Sequence, residues 1–407
     1  MNQAFMKVLV SEMVRFMTIP FRIMPIRKKR ILFSGLTGGN NYDYSCNPKY
    51  LYEYMKEHFP GQYEYVWAVG DKERYAFLEE EGVKLVKHFT ISSFPALLTS
   101  KVIVTNGSYA PWFPFRKKQY VINTWHGGGA YKKVENEKPD ADWATRKRAE
   151  FCAENIDLFV ASCRVQEENM IRKTYLYQGD VLRAGTPRND KLVRGEIEEA
   201  GKKVRRYYNI PESGRIVLYA PTYRTPGKPV SMDSEALIVA LEGLKAEQFR
   251  EICGVKLMKD SQGENGKQKW YFMSRFHRYQ ENSAICVQGD EVIDVCDYPD
   301  MQELLCAADI LITDYSSCVW DYAFLERPCF LFVPDKEEYT ANTGFYVSVD
   351  EWPFEQAETM EEMVKQIEKY DNRIAGQRVK KHLDCLGSYE HGRCCELLGE
   401  KIAEQCV

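Results

Sequence analysis

The chain has 407 residues, of which 44% are hydrophobic and 13% aromatic, and its formal net charge is −4. This length exceeds what one hydrophobic core usually supports, so two domains are expected, and the apolar content excludes a largely disordered chain. The slightly acidic balance excludes general nucleic-acid binding, because proteins of that class carry a basic domain.

The 13 cysteines are odd in number and scattered along the chain, mostly within apolar runs. No CxxC pair occurs, and Cys394 and Cys395 are adjacent. This distribution predicts buried free thiols in a reducing compartment rather than a disulfide framework or a zinc site. The sequence therefore indicates a cytoplasmic protein without a metal centre.

The N-terminal residues 1–29 are apolar but interrupted by charges and prolines. No uninterrupted apolar run approaches the ~20 residues that a membrane-spanning helix needs. A basic cluster at 27–30 follows the apolar part, whereas a secretory signal carries its charge first. Two interpretations remain open: a basic amphipathic helix that docks on anionic lipid, and an ordinary helix packed on the first domain.

Apolar strand patterns then alternate with helical patterns along the chain. The first series of predicted strands lies at 31–35, 63–70, 83–88, 102–106, 121–125 and 157–162, with a last strand after Gly179. The second series lies at 215–224, 269–277, 291–295, 309–317 and 329–335. Such alternation predicts two α/β domains with parallel sheets, in which ligands bind beyond the carboxyl ends of the strands.

The first candidate site follows the predicted strand at 121–125, where the sequence reads WHGGGAYKK. A single histidine before a turn is most often structural. However, Gly127 and Gly128 let a ligand approach the main chain, and Lys132 adds a positive charge. The loop that begins at His126 therefore suits an anion.

Polar residues also close strands of the second series. Arg224 ends APTYR, His277 ends RFH, and Asp314, Ser316 and Ser317 end ITDYSS. A single polar residue at such a position is usually a cap or a turn former, but two of the chain's six histidines follow predicted strands. The two serines precede a helical pattern, so they predict either an anion site at a helix N-terminus or simple N-capping.

The segment GTPRND places Arg188 beside a proline in a tight turn at the end of the first series. Its guanidinium has the geometry to clamp a phosphate, and it could equally brace the linker between the domains. The local sequence favours the structural role slightly.

Taken together and in this order, WHGGGAYKK, GTPRND, APTYR, RFH and ITDYSSCVWDYAFLERP resemble the CDP-glycerol glycerophosphotransferase family, the teichoic-acid polyol-phosphate transferases. The resemblance implies a GT-B fold, in which two Rossmann-like parallel-sheet domains face a cleft. It implies an acceptor domain over 30–190, a nucleotide-binding domain over 191–375 that a helical segment over 376–407 closes, and peripheral attachment through 1–29 to the cytoplasmic face of the cell membrane.

The family resemblance also implies roles for individual residues. His126 matches the proposed general base, and His277 matches a second essential histidine near the diphosphate. Asp314, Ser316 and Ser317 match the segment that binds the nucleotide diphosphate. Two departures occur, because the family commonly has Thr-Pro after its WHG and a His-Pro pair in the second histidine motif, where this chain has Gly-Gly and His-Arg.

The expected reaction is transfer of glycerol or ribitol phosphate from CDP-glycerol or CDP-ribitol to a hydroxyl of a lipid-linked glycan acceptor, with release of CMP. His126 removes the proton, and Arg224 helps to hold the diphosphate, so neither a metal nor a further cofactor is expected. A glycosyltransferase that uses a UDP-sugar and a membrane-docked scaffold remain as alternatives. Homo-oligomers, priming, polymerisation and capsule decoration are all compatible with these residues.

Overall fold

The computed structural model describes residues 13–14, 16–36, 42–88, 90–109, 113–129, 131–134, 137–138, 141–222, 224, 230–244, 269–276, 285–288 (backbone only) and 292–407. The chain divides into two compact units. Unit 1 consists of Met1–Asp190 and Gly387–Val407, and unit 2 consists of Lys191–Leu386.

Unit 1 is built on an eight-stranded sheet. Its strands are β1 (Arg27–Leu36), β2 (Tyr42–Asp43), β3 (Glu64–Val69), β4 (Lys84–Lys87), β5 (Ser100–Thr105), β6 (Tyr120–Asn123), β7 (Leu158–Ala161) and β8 (Asp180–Arg183). The main path β4-β3-β1-β5-β6-β7-β8 is parallel throughout, and β2 is antiparallel to β1. Counted without β2, this is the Rossmann order 3-2-1-4-5-6 with one added strand.

The strands of unit 1 are apolar because both faces of the sheet are covered. Ile31, Phe33, Trp67, Val104 and Val160 are fully buried in one core cluster. The helices before the unit boundary are α1 (Ile19–Arg22), α2 (Cys46–His58), α3 (Phe77–Glu80), α4 (Phe94–Thr99) and α5 (Trp143–Asn155), with a π-helical segment at Gln166–Thr174. The predicted parallel sheet of the first series is therefore confirmed.

Unit 2 contains a six-stranded sheet and a separate two-stranded one. Its strands are β9 (Arg215–Tyr219), β10 (Val230–Asp233), β11 (Trp270–Ser274), β12 (Ile285–Gln288), β13 (Val292–Asp294), β14 (Ile310–Thr313), β15 (Cys329–Phe332) and β16 (Glu355–Ala357). The larger sheet has the order β13-β11-β9-β14-β15-β16 and is parallel, and β10 pairs with β12. The larger sheet again has the Rossmann order, because its strands in chain order lie as 3-2-1-4-5-6.

The helices of the second half are short apart from α7 and α13. They are α6 (Asp190–Val193), α7 (Glu198–Tyr207), α8 (Ser234–Glu242), α9 (Met301–Ala307), α10 (Cys318–Tyr322), α11 (Lys336–Thr343), α12 (Met360–Glu368) and α13 (Asn372–Leu386). They cover a core that includes Val217, Phe272, Ile312 and Phe330.

The chain returns to unit 1 through its last helix, α14 (Cys394–Gln405). Leu398 and Ile402 are fully buried in the core cluster of unit 1. Asp190 fixes the start of α14, because its carboxylate accepts the Cys394 amide at 2.9 Å and the Cys395 amide at 2.7 Å. Residues 376–407 were expected as one segment that closes the nucleotide-binding domain. They divide instead: α13 belongs to unit 2, and everything from Gly387 onward to unit 1.

The basic cluster at 27–30, expected as the end of an N-terminal tail, is the first part of β1. Its two arginines are paired with one carboxylate: Arg30 Nη2 lies 2.5 Å from Glu64 Oε1, and Arg27 Nε lies 3.0 Å from Glu64 Oε2. These two charges therefore hold β1 to β3. Among the residues that the structure describes, no helix has the length and apolar character needed to cross a membrane.

Candidate active site

His126 follows β6 at the carboxyl end of the unit 1 sheet, and its side chain is exposed. The ring nitrogen Nδ1 lies 2.7 Å from the main-chain oxygen of Asn106, the residue that follows β5. A carbonyl oxygen only accepts hydrogen bonds, so Nδ1 carries the proton of this contact. In the neutral ring the lone pair then resides on Nε2, which is the form that a general base requires.

The glycine loop after His126 is held in shape by neighbouring side chains. The amide of Gly129, whose φ is +63°, donates to Ser162 Oγ at 2.9 Å. Gln166 accepts from the Ser162 amide and hydroxyl at 2.6 and 2.9 Å and donates to the carbonyl of Gly127 at 3.4 Å. The structure thus describes a fixed turn, in which Gly128 is buried and Gly127 is partly exposed.

Arg188 and Lys132 were both predicted near this loop as residues that contact the acceptor or a phosphate. Arg188 is buried, and its Nη1 donates to the main-chain oxygen of His126 at 2.6 Å and contacts Cys46 Sγ at 3.2 Å. Its guanidinium is thus in direct contact with the peptide of His126. Lys132 is half-buried at the far end of the loop.

In unit 2, Arg224 joins the carboxyl ends of three adjacent strands. Its Nη2 lies 2.8 Å from Asp314 Oδ2, after β14, and its Nε lies 2.6 Å from Asp335 Oδ2, after β15. Its Nη1 donates to the carbonyl of Thr222, after β9, at 2.9 Å. Thr222 also donates its amide and hydroxyl to Asp314 at 2.9 and 2.6 Å. We call Thr222, Arg224, Asp314 and Asp335 the Arg224 hub.

The electrostatics of the hub bear on the role expected for Arg224. Burial disfavours its charge, but Asp314 and Asp335 together keep the pKa of Arg224 above its ordinary value. One buried cation faces two carboxylates, so the hub bears one net negative charge and does not attract a phosphate by itself. The guanidinium is also covered by aromatic rings, with its central carbon 4.5 Å from the ring centroid of Tyr339 and 5.1 Å from that of Tyr315.

The two serines of ITDYSS lie next to the hub. Ser316 is half-buried and its Oγ accepts the amide of Cys318 at 3.5 Å, whereas Ser317 is exposed. Ser317 occupies the N-cap position of α10 with helical dihedral angles, and its side chain makes no capping hydrogen bond. The predicted helical run after the serines is confirmed: α10 ends at Tyr322, and the chain continues in a 3₁₀ turn at Ala323–Leu325.

His277, the second predicted histidine, lies outside the described residues, three positions beyond the end of β11. Sequence reasoning missed Asn106, Asp335 and Asn47. The first two are polar residues shortly after apolar strands, so the signal that singled out His126 and Asp314 also marks them. Asn47 lies in α2, where nothing in the sequence distinguishes it. In the described part of the chain, no group of three His, Cys, Asp or Glu side chains is arranged to hold a metal ion.

Two sheets of Rossmann order, each with a polar cluster at its carboxyl end, define the GT-B class of fold. A solved structure of the wall teichoic acid polymerase TagF soaked with CDPG has this fold, with a TM-score of 0.75 and 24% identity, over 99% of this chain and 98% of that chain. The chain itself belongs to the CDP-Glycerol:Poly(glycerophosphate) glycerophosphotransferase family, whose model matches residues 16–404.

Two curated relatives carry the same description, teichoic acid poly(glycerol phosphate) polymerase. The protein from Bacillus spizizenii is 27% identical over 96% of this chain and 97% of its own length. The protein from Bacillus subtilis is 28% identical over 85% of this chain but only 44% of its own length, so the chain spans less than half of that relative. The predicted family, GT-B fold and class of enzyme, a transferase that moves a polyol phosphate from a CDP-activated donor, are confirmed.

Proposed function

We propose that this protein transfers glycerol phosphate from CDP-glycerol to a terminal hydroxyl of a lipid-linked, teichoic-acid-like polymer. The observation that carries the proposal is the contact between His126 Nδ1 and the Asn106 carbonyl, since it assigns the ring proton to Nδ1 and the lone pair of an exposed imidazole to Nε2, as a general base requires. The family description and the relatives that act on glycerol phosphate support glycerol over ribitol.

In the proposed reaction, His126 Nε2 takes the proton of the acceptor hydroxyl as its oxygen forms a bond to the β-phosphorus of CDP-glycerol. The bond between that phosphorus and the bridging oxygen breaks, and its electron pair leaves with CMP. His277 and the main chain around Ser316 and Ser317 are proposed to contact the diphosphate. Arg224 and Asp314 are proposed to hold that main chain in place rather than to touch the donor.

The assay that tests this function measures CMP release and polymer labelling with CDP-glycerol, CDP-ribitol and UDP-sugars, each with a lipid-linked glycerol phosphate acceptor. We expect turnover with CDP-glycerol that depends on the acceptor. Turnover with a UDP-sugar alone would indicate a glycosyltransferase, and absence of any turnover would contradict an enzymatic role.

We also propose peripheral attachment to the membrane through the N-terminal part of unit 1. Phe16 and Ile23 are 74% and 86% exposed, and a groove of about 540 Å³ beside α1 is lined by Phe16, Ile19, Phe113 and Phe115 together with the polar Arg22 and Asn155. Exposed aromatic and aliphatic side chains with an adjacent cation favour an anionic bilayer surface.

Vesicle sedimentation tests the attachment. The variant Ile23→Glu should bind anionic vesicles several-fold more weakly than the wild type. Val239→Glu, at a position that is 70% exposed in unit 2, is the matched control and should bind as the wild type does. If both substitutions weaken vesicle binding equally, or if neither weakens it, the N-terminal surface has no specific role in attachment.

A further inference from the structure

The main chain that leads into His126 is held by two buried side chains. Asn47 Nδ2 donates to the carbonyl of Thr124 at 3.1 Å and to that of Trp125 at 2.8 Å. Arg188 Nη1 donates to the next carbonyl, that of His126, at 2.6 Å. Three consecutive peptide oxygens are therefore bound from outside the strand.

The two side chains are also bound to each other. The amide of Arg188 donates to Asn47 Oδ1 at 3.2 Å, and the side chains of Asn47 and Arg188 are 0% and 6% exposed. Asn47 comes from the first turn of α2, and Arg188 comes from the GTPRND turn, 141 residues later. The fold thus brings two distant segments together at one short stretch of main chain.

This stretch has a backbone conformation that needs support. Trp125 has a φ of +54°, in the left-handed region that bulky side chains rarely adopt unless their surroundings hold them there. Asn47 binds the carbonyl oxygens of Thr124 and Trp125, which flank the Trp125 Cα atom, and Arg188 binds the carbonyl oxygen of His126. The hydrogen bonds consequently hold the turn that aims the His126 ring.

The ring has a second fixed contact. Asn106, whose carbonyl accepts from His126 Nδ1, is fully buried. Its side chain accepts the Leu36 amide at 2.6 Å and donates to the Leu36 carbonyl at 3.1 Å, which ties the loop after β5 to the end of β1. Both the peptide and the imidazole of His126 therefore rest on rigid partners, as a catalytic group requires.

We propose that Asn47 and Arg188 are positioning residues for His126, which they hold in the orientation and in the Nδ1-protonated tautomer needed for base catalysis. The expected change in kcat rests on the proposed function, whereas the expected tautomer of His126 does not. It also gives Arg188 a role at the histidine itself instead of at a phosphate.

The test compares Arg188→Met, Arg188→Lys and Asn47→Asp with Arg30→Met. Arg30 is the matched control because it is a buried arginine of unit 1 that bonds to Thr99 and Glu64, away from His126. Asn47→Asp keeps the acceptor for the Arg188 amide but removes both donated hydrogen bonds, so it carries the test if Arg188→Met does not fold. Arg188→Lys retains a charged hydrogen-bond donor, the ammonium group, for the His126 carbonyl.

We expect kcat with CDP-glycerol to fall by about 10²-fold in Arg188→Met and Asn47→Asp, because a small misplacement of the base has a cost of that order. KM for CDP-glycerol should change by less than about threefold, since neither substitution removes an interaction that binds the donor equally in the ground state and the transition state. Arg188→Lys should recover part of kcat, and Arg30→Met should keep the wild-type kcat even where its thermal midpoint falls.

The second readout is the ¹⁵N spectrum of the His126 ring in histidine-labelled protein, assigned with His126→Ala. The wild type and Arg30→Met should show a protonated Nδ1 and an unprotonated Nε2, whereas Arg188→Met and Asn47→Asp should show mixed tautomers. Folded variants with kcat within twofold of the wild type, or a wild-type Nε2 that carries the proton, would overturn the inference. A wild type without transfer from CDP-glycerol would instead overturn the proposed function, and the spectra would still decide this inference.

Discussion

His126 is the proposed general base, and its substitution gives the first prediction. His126→Ala should lower transfer from CDP-glycerol by on the order of 10²-fold or more, because removal of a positioned general base has that effect. Affinity for CDP should change little, since the proposed role of His126 is to take a proton from the acceptor. Titration calorimetry with CDP and initial rates of CMP release measure the two quantities. His58→Ala, at an exposed histidine of the same unit, is the control, and near-normal turnover of His126→Ala would contradict the assignment.

Substitution of Arg224 separates a structural role in unit 2 from binding of the diphosphate. Arg224→Met leaves the buried Asp314 and the half-buried Asp335 without their cation, which should lower the free energy of unfolding of unit 2 by about 3–5 kcal/mol. The double variant Arg224→Met with Asp335→Asn removes one of the two carboxylate charges and should recover part of this loss. Urea unfolding measures both. Unchanged stability together with weaker donor binding would instead make Arg224 a ligand of the diphosphate.

His88, directly after β4, gives a prediction for pH. Burial lowers the pKa of His88 from 6.5 to about 3. Between these values the unfolded chain binds a proton that the folded chain does not, so the free energy of unfolding falls as the pH falls below 6.5. The loss between pH 6.5 and 5 is about 2 kcal/mol at ~1.4 kcal/mol per unit.

His88→Phe should remove this part of the acid loss while keeping a ring against Tyr42, on which His88 stacks. Urea unfolding of the wild type, His88→Phe and the exposed control His58→Phe at several pH values measures it. If His88→Phe loses as much stability on acidification as the wild type, His88 does not remain neutral in the folded protein.

At the scale of elements, α14 depends on one carboxylate that is distant in sequence. Asp190→Ala removes the acceptor of two buried amides at the helix start and should lower the unfolding free energy by about 1–3 kcal/mol. Asp142→Ala is the matched control, because Asp142 caps α5 at an exposed position by accepting the Thr145 amide. Its loss should be about 1 kcal/mol or less.

Hydrogen exchange in α14 measures the effect of Asp190→Ala locally. Faster exchange in α14 with α5 unchanged is expected. Equal effects of the two substitutions on global stability and on exchange would show that the buried cap has no special role in returning the chain to unit 1.

The long apolar strands could be predicted because burial on both sheet faces leaves a continuous hydrophobic run, as in β1, β5, β9 and β14. Short strands such as β10 and β16 have no such run and were missed. The helical run after ITDYSS could be predicted from apolar spacing that continues to Leu325, and the left-handed Glu326, with a φ of +52°, ends the 3₁₀ turn directly after it.

The positions of the site's residues were predictable, but their partners were not. His126, Arg224 and Asp314 were identified because polar side chains after parallel strands gather at one edge of a sheet. Their roles depend on residues far away in sequence, as Arg224 does on Asp335, 111 positions later. A spacing pattern has no access to such pairs, since only the folded chain brings them together.

At the scale of the whole molecule, the same strand order is used twice. Counted without β2, β10 and β12, the first and fourth strands of each main sheet lie side by side, β1 with β5 and β9 with β14. The strand that follows the first lies on one side of this pair, and the strand that follows the fourth lies on the other side. Loops that diverge at this point leave a crevice in which ligands of such sheets bind. The contacts of Asn106 with Leu36 and of Asp314 with Thr222 lie at these two points.

This duplication leads to a prediction about which unit binds the nucleotide. We expect CDP to bind at the β9–β14 point of unit 2, because the Arg224 hub there fixes the main chain that leads to the exposed Ser317. At a concentration 100 times its Kd, CDP stabilises the binding-competent state by about 2.7 kcal/mol. Amides that exchange by local opening of this region should therefore slow by up to about 100-fold.

Hydrogen exchange followed by mass spectrometry tests the placement, with CMP, UDP and buffer alone as controls. Protection should appear in peptides that contain Thr222 and the stretch from Asp314 to Tyr322, while peptides that contain the loop after His126 stay at their rates without ligand. Protection confined to the loop after His126 would assign the nucleotide to unit 1. It would then make His126 a donor contact, because a base that serves the acceptor has no reason to be shielded by CDP alone.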